Sequence, residues 1–315
     1  MTSSFFSKIN SSIQEDGIGA TGTKIVNALS ANLIASLQQL RNEVSLAIEK
    51  RRDGSRFIVR DVQGSEMMLD VADVGIGREL ALTGVHESLS TKRFREAIKP
   101  GMTVIEVGAN IGYYLLIARS IVGEEGKIIA FEPSPHNLKL LRVNVGLNEY
   151  EKNVEIFPYG IGAAEDEQEF YLMSKCNMSS FVPRQESGDI KRLATIKTRI
   201  VSLDDFFEGQ QEKLDFLRMD VEGFEEEVIQ GMAGLLEDGR APTGMFIEVH
   251  SKLLGEKGSS SAAFIGKLKD YGYEVDIASW RGREDMTVSS TKEMLDHPSL
   301  EKGYWEAFFL KSQET

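Results

Sequence analysis

Gly108 and Gly112 stand four residues apart, between the apolar run at 104–107 and a helical pattern that begins at Tyr113. A short buried strand that ends in small residues and turns straight into a helix points to a doubly wound α/β sheet. Small residues permit the sharp turn and let a ligand approach the main chain. The helix behind them offers free N–H groups at its start. Glu132 ends the next apolar run, at 127–131, where a carboxylate can accept hydrogen bonds from both hydroxyls of a ribose. The spacing is G-x-x-x-G rather than the G-x-G-x-x-G of dinucleotide sites. Glu106, just upstream, would repel a pyrophosphate and suits a cofactor that carries an ammonium and a sulfonium. S-adenosylmethionine has both and no phosphate.

The rest of the chain alternates strand and helix patterns. Strands are expected at 104–107, 127–131, 154–157, 216–219, 245–249, 273–278 and 305–310. Helices are expected at 113–122, 136–147, 225–236 and 262–271. Short apolar strands separated by helices argue for a parallel sheet covered on both faces. No long helix separates the last two strands, so an antiparallel hairpin at one edge is expected. Segments 169–173 and 196–201 look like an inserted pair of strands. Two further strand patterns flank Gly64-Ser65, a hairpin signal. Upstream, Val26, Leu29, Leu33, Leu37, Leu40, Val44 and Ile48 form a helical stripe within 24–52. That stripe needs a partner: the body of the protein, a second copy in a homodimer, or a membrane surface. The expected division is an appendage at 1–66 and a main domain at 67–315.

Composition narrows the classes. With 41% hydrophobic and 27% charged residues the chain can bury a core. Its net charge of -13 repels phosphate backbones, so no nucleic-acid partner is expected. A single cysteine, Cys176, rules out an intrachain disulfide and a cysteine-rich zinc site. No transmembrane stretch or signal-peptide pattern is seen, and a cytoplasmic protein is expected.

Three segments together resemble the FkbM-type methyltransferases: 104–112, Phe131-Glu132-Pro133-Ser134-Pro135, and Met219-Asp220-Val221-Glu222-Gly223-Phe224-Glu225. The stretches from Leu69-Asp70 to His86-Glu87, and Ile247-Glu248-Val249-His250, are also similar to that family. The resemblance spans about residues 67–275 and excludes the N-terminal helical region. It implies a class I methyltransferase fold, with a seven-stranded sheet whose last strand is antiparallel. It also implies methyl transfer from S-adenosylmethionine, usually to a hydroxyl of a sugar, glycan or polyketide-like product. Carried over by position, Glu106, Gly108, Asn110 and Gly112 would surround the methionine part of the cofactor. Glu132 would hold the ribose, and Gly160 and Ile161 would lie near the adenine.

Asp220 and Glu222 end the fourth core strand, and Glu248 and His250 the fifth. Residues two apart on an extended segment point to one side, so each pair can converge. An alcohol acceptor needs a base, and His250, Glu222 or Asp220 is expected to serve; Asp220 also borders the cofactor. The same four side chains could instead hold a divalent metal, although none is expected. His86-Glu87 is a candidate closure over the cofactor, and the polar loop at 176–180 a candidate cover over the acceptor. Two other functions fit parts of the pattern. One is an NAD-dependent oxidoreductase, and the other a non-catalytic cofactor-binding scaffold that assembles through the 24–52 helix.

Overall fold

The computed structural model describes residues 56–312. The stripe at 24–52, with the dimer seam expected there, lies outside the described residues. Phe57 opens the compact unit that contains everything below.

Strands β1 (Phe57–Val62) and β2 (Ser65–Asp70) form an antiparallel hairpin. Helices α1 (Ile76–Thr83) and α2 (Ser88–Ala97) lead to the main sheet. Its first strand is β3 (Thr103–Val107), followed by α3 (Tyr113–Val122), β4 (Lys127–Phe131), α4 (Pro135–Leu147) and β5 (Val154–Phe157). An insertion follows: β6 (Gly160–Ile161), β7 (Asp166–Met173) and β8 (Arg192–Val201), which make a separate three-stranded sheet. After the short α5 (Leu203–Phe206) the main sheet resumes with β9 (Phe216–Met219). The segment expected as one helix at 225–236 is two, α6 (Glu225–Gln230) and α7 (Ala233–Glu237). Then come β10 (Gly244–Val249), α8 (Ser251–Glu256), α9 (Ser261–Asp270) and β11 (Tyr273–Trp280). The chain ends with β12 (Thr287–Val288), α10 (Thr291–Leu295) and β13 (Trp305–Lys311).

The main sheet runs β12-β11-β13-β10-β9-β3-β4-β5. Strands β5, β4, β3, β9 and β10 are mutually parallel, and β13 is antiparallel to both β10 and β11. Without the two-residue edge strand β12, this is the expected class I methyltransferase sheet of seven strands with the last one reversed. The antiparallel pair expected at one edge is β11 and β13, with β13 lying between β11 and β10. Trp305, Ala307 and Phe309 of β13 are buried, and an edge position would leave them half exposed.

Alternate residues of the central strands feed two cores on opposite faces. Ile105, Val107, Leu217, Met219, Met245 and Ile247 join the core that includes α6, α7 and α9. Val104, Ile128, Phe216 and Phe246 join the one built on α3 and α4. Each fully buried Val, Ile, Leu or Phe contributes roughly 1.5–3 kcal/mol, so this two-sided burial dominates the stability of the sheet. Buried positions on the second face that are not apolar include Glu106, Arg218, Glu248 and Glu306. The candidate site is built around the first three.

Candidate functional site

Gly108 leaves β3 with φ +83°, and a Cβ there would overlap the Asp220 carbonyl oxygen. Only glycine brings the two strand ends this close. Asn110 follows in the left-handed region, which asparagine tolerates. Gly112, at φ +95°, starts α3 against Leu141; an added Cβ would lie 2.7 Å from Leu141 Cδ1.

At the end of β4, Glu132 is buried and ties the turn together. Its Oε2 accepts the Asn110 N–H at 2.7 Å and its Oε1 the Ser134 N–H at 2.8 Å. Burial still pushes its carboxyl up to about 7. A cleft of about 520 Å³, open solvent at its mouth included, runs past Gly108, Asn110, Glu132, Gly160, Ile161 and Asp220. Gly160 and Ile161 form strand β6, which pairs with β8 and carries the insertion to the wall of this cleft. The wall also includes Cys176, Asn177 and Ser179. The polar loop at 176–180 therefore borders the nucleoside-sized cleft. Its placement follows from long-range bonds, such as the Cys176 N–H to Asp73 Oδ1 at 3.1 Å, that local sequence does not reveal.

A second, smaller hollow shares Asn110, Asn177 and Asp220 with the first and continues to Glu106, His86 and Arg218. Glu106 and Arg218 are cross-strand neighbours of β3 and β9. Neither Glu106 oxygen has a hydrogen-bond partner, and the residue is fully buried. Burial pushes its carboxyl up to about 7; Arg218, 3.7 Å away, pulls it down and Asp220 pushes it up further. Arg218 donates to Asp220 Oδ2 at 3.1 Å and to the Gly108 carbonyl at 3.1 Å. Its guanidinium lies over the Tyr114 ring at 4.6 Å. The other Asp220 oxygen, Oδ1, has no partner. Sequence reasoning missed Arg218. The available signal was a cation in an otherwise apolar strand two residues before Asp220. His86 and Glu87, expected near the cofactor, form an ion pair at 3.0 Å. Glu87 Oε2 accepts the Tyr114 hydroxyl at 2.7 Å. Against the cost of burial, His86 and Arg218 hold the Glu87 carboxyl down at about 2.

The third group sits at the ends of β9 and β10. Glu222 has φ +55°, an uncommon and costly conformation for a glutamate, of order 1 kcal/mol or more. Arg184, from the insertion, forms an ion pair with Glu222. Ser180 Oγ donates to the Glu222 carbonyl at 2.8 Å. His250 Nε2 lies 2.9 Å from Glu222 Oε2 and 3.5 Å from Glu248 Oε1, while Nδ1 lies 2.7 Å from Glu225 Oε1. Burial opposes the charged imidazole, but the Glu222 and Glu248 carboxylates outweigh it and raise its pKa well above the ordinary value. Burial raises Glu222 in turn, yet His250 and Arg184 bring it below the ordinary range. His250 thus stands among carboxylates that engage both of its ring nitrogens. A broad open cleft begins here, walled by Arg184, His250, Lys252 and Tyr304. Of the expected catalytic residues, Asp220 and Glu222 line the first cleft and His250 lines this one, with His250 Nε2 in contact with Glu222.

Among the described residues, Asp220, Glu248 and His250 form a group whose ligand atoms lie within 4.8 Å of one another. They could hold a divalent ion only if the ion displaced Glu222 from His250 Nε2, since both ring nitrogens are engaged. That arrangement fits a hydrogen-bonded histidine better than a metal ligand. Among the described residues no helix is long and apolar enough to cross a membrane.

Comparison with known proteins adds the following. The chain is 26% identical to the AMB antimetabolite synthetase AmbE of Pseudomonas aeruginosa over 62% of its length, and 28% identical to the arsenite methyltransferase of Halobacterium salinarum over 45%. It spans 10% of the first relative and 34% of the second. Among solved structures, a SAM-dependent methyltransferase from Aquifex aeolicus aligns at 16% identity and a TM-score of 0.39, covering 72% of this chain and 89% of that one. Aeropyrum pernix fibrillarin, with natively bound S-adenosyl-L-methionine, aligns at 13% identity and 0.40, covering 81% and 94%. A family model, the methyltransferase FkbM domain, matches residues 106–275, just over half of the chain. That span runs from Glu106 through the glycine turn and the Asp220–Glu225 segment to β11, and with it the chain belongs to the FkbM-domain methyltransferases.

Proposed function

We propose that the chain transfers a methyl group from S-adenosylmethionine to a hydroxyl of a small-molecule or glycan acceptor. The observation that carries this reading is Glu106: a fully buried carboxylate with no hydrogen-bond partner, beside the glycine turn and facing Arg218. A buried polar group left unpaired costs about 1–3 kcal/mol, more when charged, unless a ligand satisfies it. The methionine end of the cofactor carries one ammonium and one carboxylate. Glu106 and Asp220 suit the former, and Arg218 the latter. Glu132, Gly160 and Ile161 line the nucleoside part of the cleft. The turn at Gly108, Asn110 and Gly112 lets the main chain approach closely.

When bound, the sulfonium supplies an activated methyl group. The chain's own residues hold the donor in place, close the site with the loop at 176–180, and accept the proton. As the acceptor O–H bond breaks and the O–C bond forms, the S–C electron pair stays on sulfur. The proton passes to the Glu222–His250 pair, with Asp220 beside it. The two groups share one proton inventory, so it belongs to the pair and not to either residue. The acceptor enters through the open cleft at Arg184 and Tyr304. A cytoplasmic setting and a partner list without nucleic acid are part of the same reading.

Isothermal titration with S-adenosylhomocysteine and with NAD tests the cofactor. Binding of the former alone is expected, and tight NAD binding without it would overturn the proposal. A screen with methyl-labelled cofactor over glycans, polyketides and other hydroxylated compounds tests the acceptor. Label that appears only on nitrogen or sulfur would remove the O-methylation reading.

A further inference from the structure

Three glutamates open α6, and an acidic first turn ordinarily complements the helix dipole. Two of them do surface work: Glu226 bonds Ser259, and Glu227 pairs with Lys257. Glu225 turns inward and is fully buried. Its Oε1 accepts the Gly223 N–H at 3.1 Å and the His250 N–H at 3.4 Å, and lies 2.7 Å from His250 Nδ1. A carboxylate that serves backbone donors offers lone pairs and no proton, so Nδ1 supplies the hydrogen in the third contact.

We propose that Glu225 is the positioning residue of the site. It keeps a proton on His250 Nδ1 and aims Nε2, on the wall of the open cleft, at Glu222 on the wall of the other. The ring is thereby held in one of its two flips and one of its two tautomers. This assignment rests on the methyl-transfer reading, in which the Glu222–His250 pair receives the acceptor's proton. Glu225 itself borders neither cleft. Its part is the one a carboxylate plays behind a catalytic or ligating imidazole: it sets the tautomer and raises the basicity of the far nitrogen. The other groups facing His250 are Glu222, Glu248 and Asp220, with Arg184 acting through Glu222 and the Tyr304 ring 6.0 Å away.

The test uses full-length protein labelled with 15N-histidine and long-range proton–nitrogen spectra. The chain has four histidines, and His250→Gln identifies the signal. In the wild type, Nδ1 is expected to stay protonated from about pH 6 to 9, with Nε2 as the nitrogen that titrates. In Glu225→Gln, which keeps the shape and removes the charge, the His250 pKa should fall by about one unit, a tenfold change in proton affinity. Glu225→Asp should restore part of it. Affinity for S-adenosylhomocysteine should stay within about threefold in both variants. A wild-type spectrum with the proton on Nε2 and a bare Nδ1 would overturn the proposal, and needs no variant to fold. So would an unchanged His250 titration in Glu225→Gln. Failure of the wild type to bind S-adenosylhomocysteine would sink the methyl-transfer reading instead, and that result is read from a separate titration.

Discussion

Around Glu106 and Asp220, three buried carboxylate oxygens lack hydrogen-bond partners; around His250, both ring nitrogens and the Glu222 carboxylate are engaged by other side chains, and one carboxylate oxygen, Glu225 Oε2, lacks a partner. The two regions lie at the ends of neighbouring strands, yet they solve the burial of charge differently. The first leaves its polar groups for a ligand to satisfy, which costs stability in the free protein. The second spends its charges on one another, which orients the imidazole and holds Glu222 in a strained backbone conformation. In the proposed reaction, the unpaired region binds and the paired one positions.

The harshest way to break this contrast is Gly108→Ala. The new Cβ overlaps the Asp220 carbonyl at a positive φ, so a penalty of roughly 2–4 kcal/mol in stability is expected, with cofactor affinity lost. Thermal denaturation and titration with S-adenosylhomocysteine measure it. Near-normal binding would show that the turn does not cradle the cofactor.

Glu222→Gln probes the paired region. Turnover on any acceptor found by the label screen should fall about 10²–10⁴-fold, the range for a lost proton acceptor. Cofactor affinity should change little. Equal losses in both would merge the two regions into one.

Glu106→Gln is the complementary variant. S-adenosylhomocysteine should bind roughly 10–100-fold more weakly, the worth of one charge-assisted hydrogen bond. Stability at pH 8 should hold or rise, because a buried charge without a hydrogen bond is gone. A fall in stability without a fall in affinity would make Glu106 structural.

A pH series gives a smaller, signed effect. Glu106 and Glu132 sit at about 7, above the ordinary carboxyl value, so the folded form binds more protons than the unfolded form between about pH 4.5 and 7. Their contribution to stability is full below that window and is lost as pH rises through about 7. Glu222, lowered by His250 and Arg184, works in the opposite direction and is lost only in acid. S-adenosylhomocysteine, through its ammonium, should accordingly raise the melting temperature more at pH 8 than at pH 6. The smallest effect expected is from excess EDTA, which should leave turnover unchanged; its abolition would put a metal at Asp220, Glu248 and His250.

Much of the unpaired region was legible in one dimension. A turn and the strand that feeds it are contiguous, so Glu106, Gly108, Asn110 and Gly112 announce themselves by spacing, and Glu132 by its place at the end of the next strand. Arg218 was not legible, because its role depends on facing Glu106 across two strands that are 112 residues apart between Glu106 and Arg218. The paired region was half legible. The Asp220–Glu225 and Glu248–His250 segments marked the strand ends, but Arg184 arrives from an insertion. Glu225 looked like its half-buried neighbours Glu226 and Glu227 until the start of α6 was packed against β10.

The linear chain determined the parallel sheet, the glycine turn and the family, because periodicity and tight turns are local properties of the backbone. Only the tertiary structure decided that β13 enters the sheet between β11 and β10, and which carboxylates are paired. Pairing depends on distance and burial, and both are set by segments far apart in sequence. The turn at Gly108 can therefore be read from its residues alone, whereas the proton on His250 can be located only in the folded molecule.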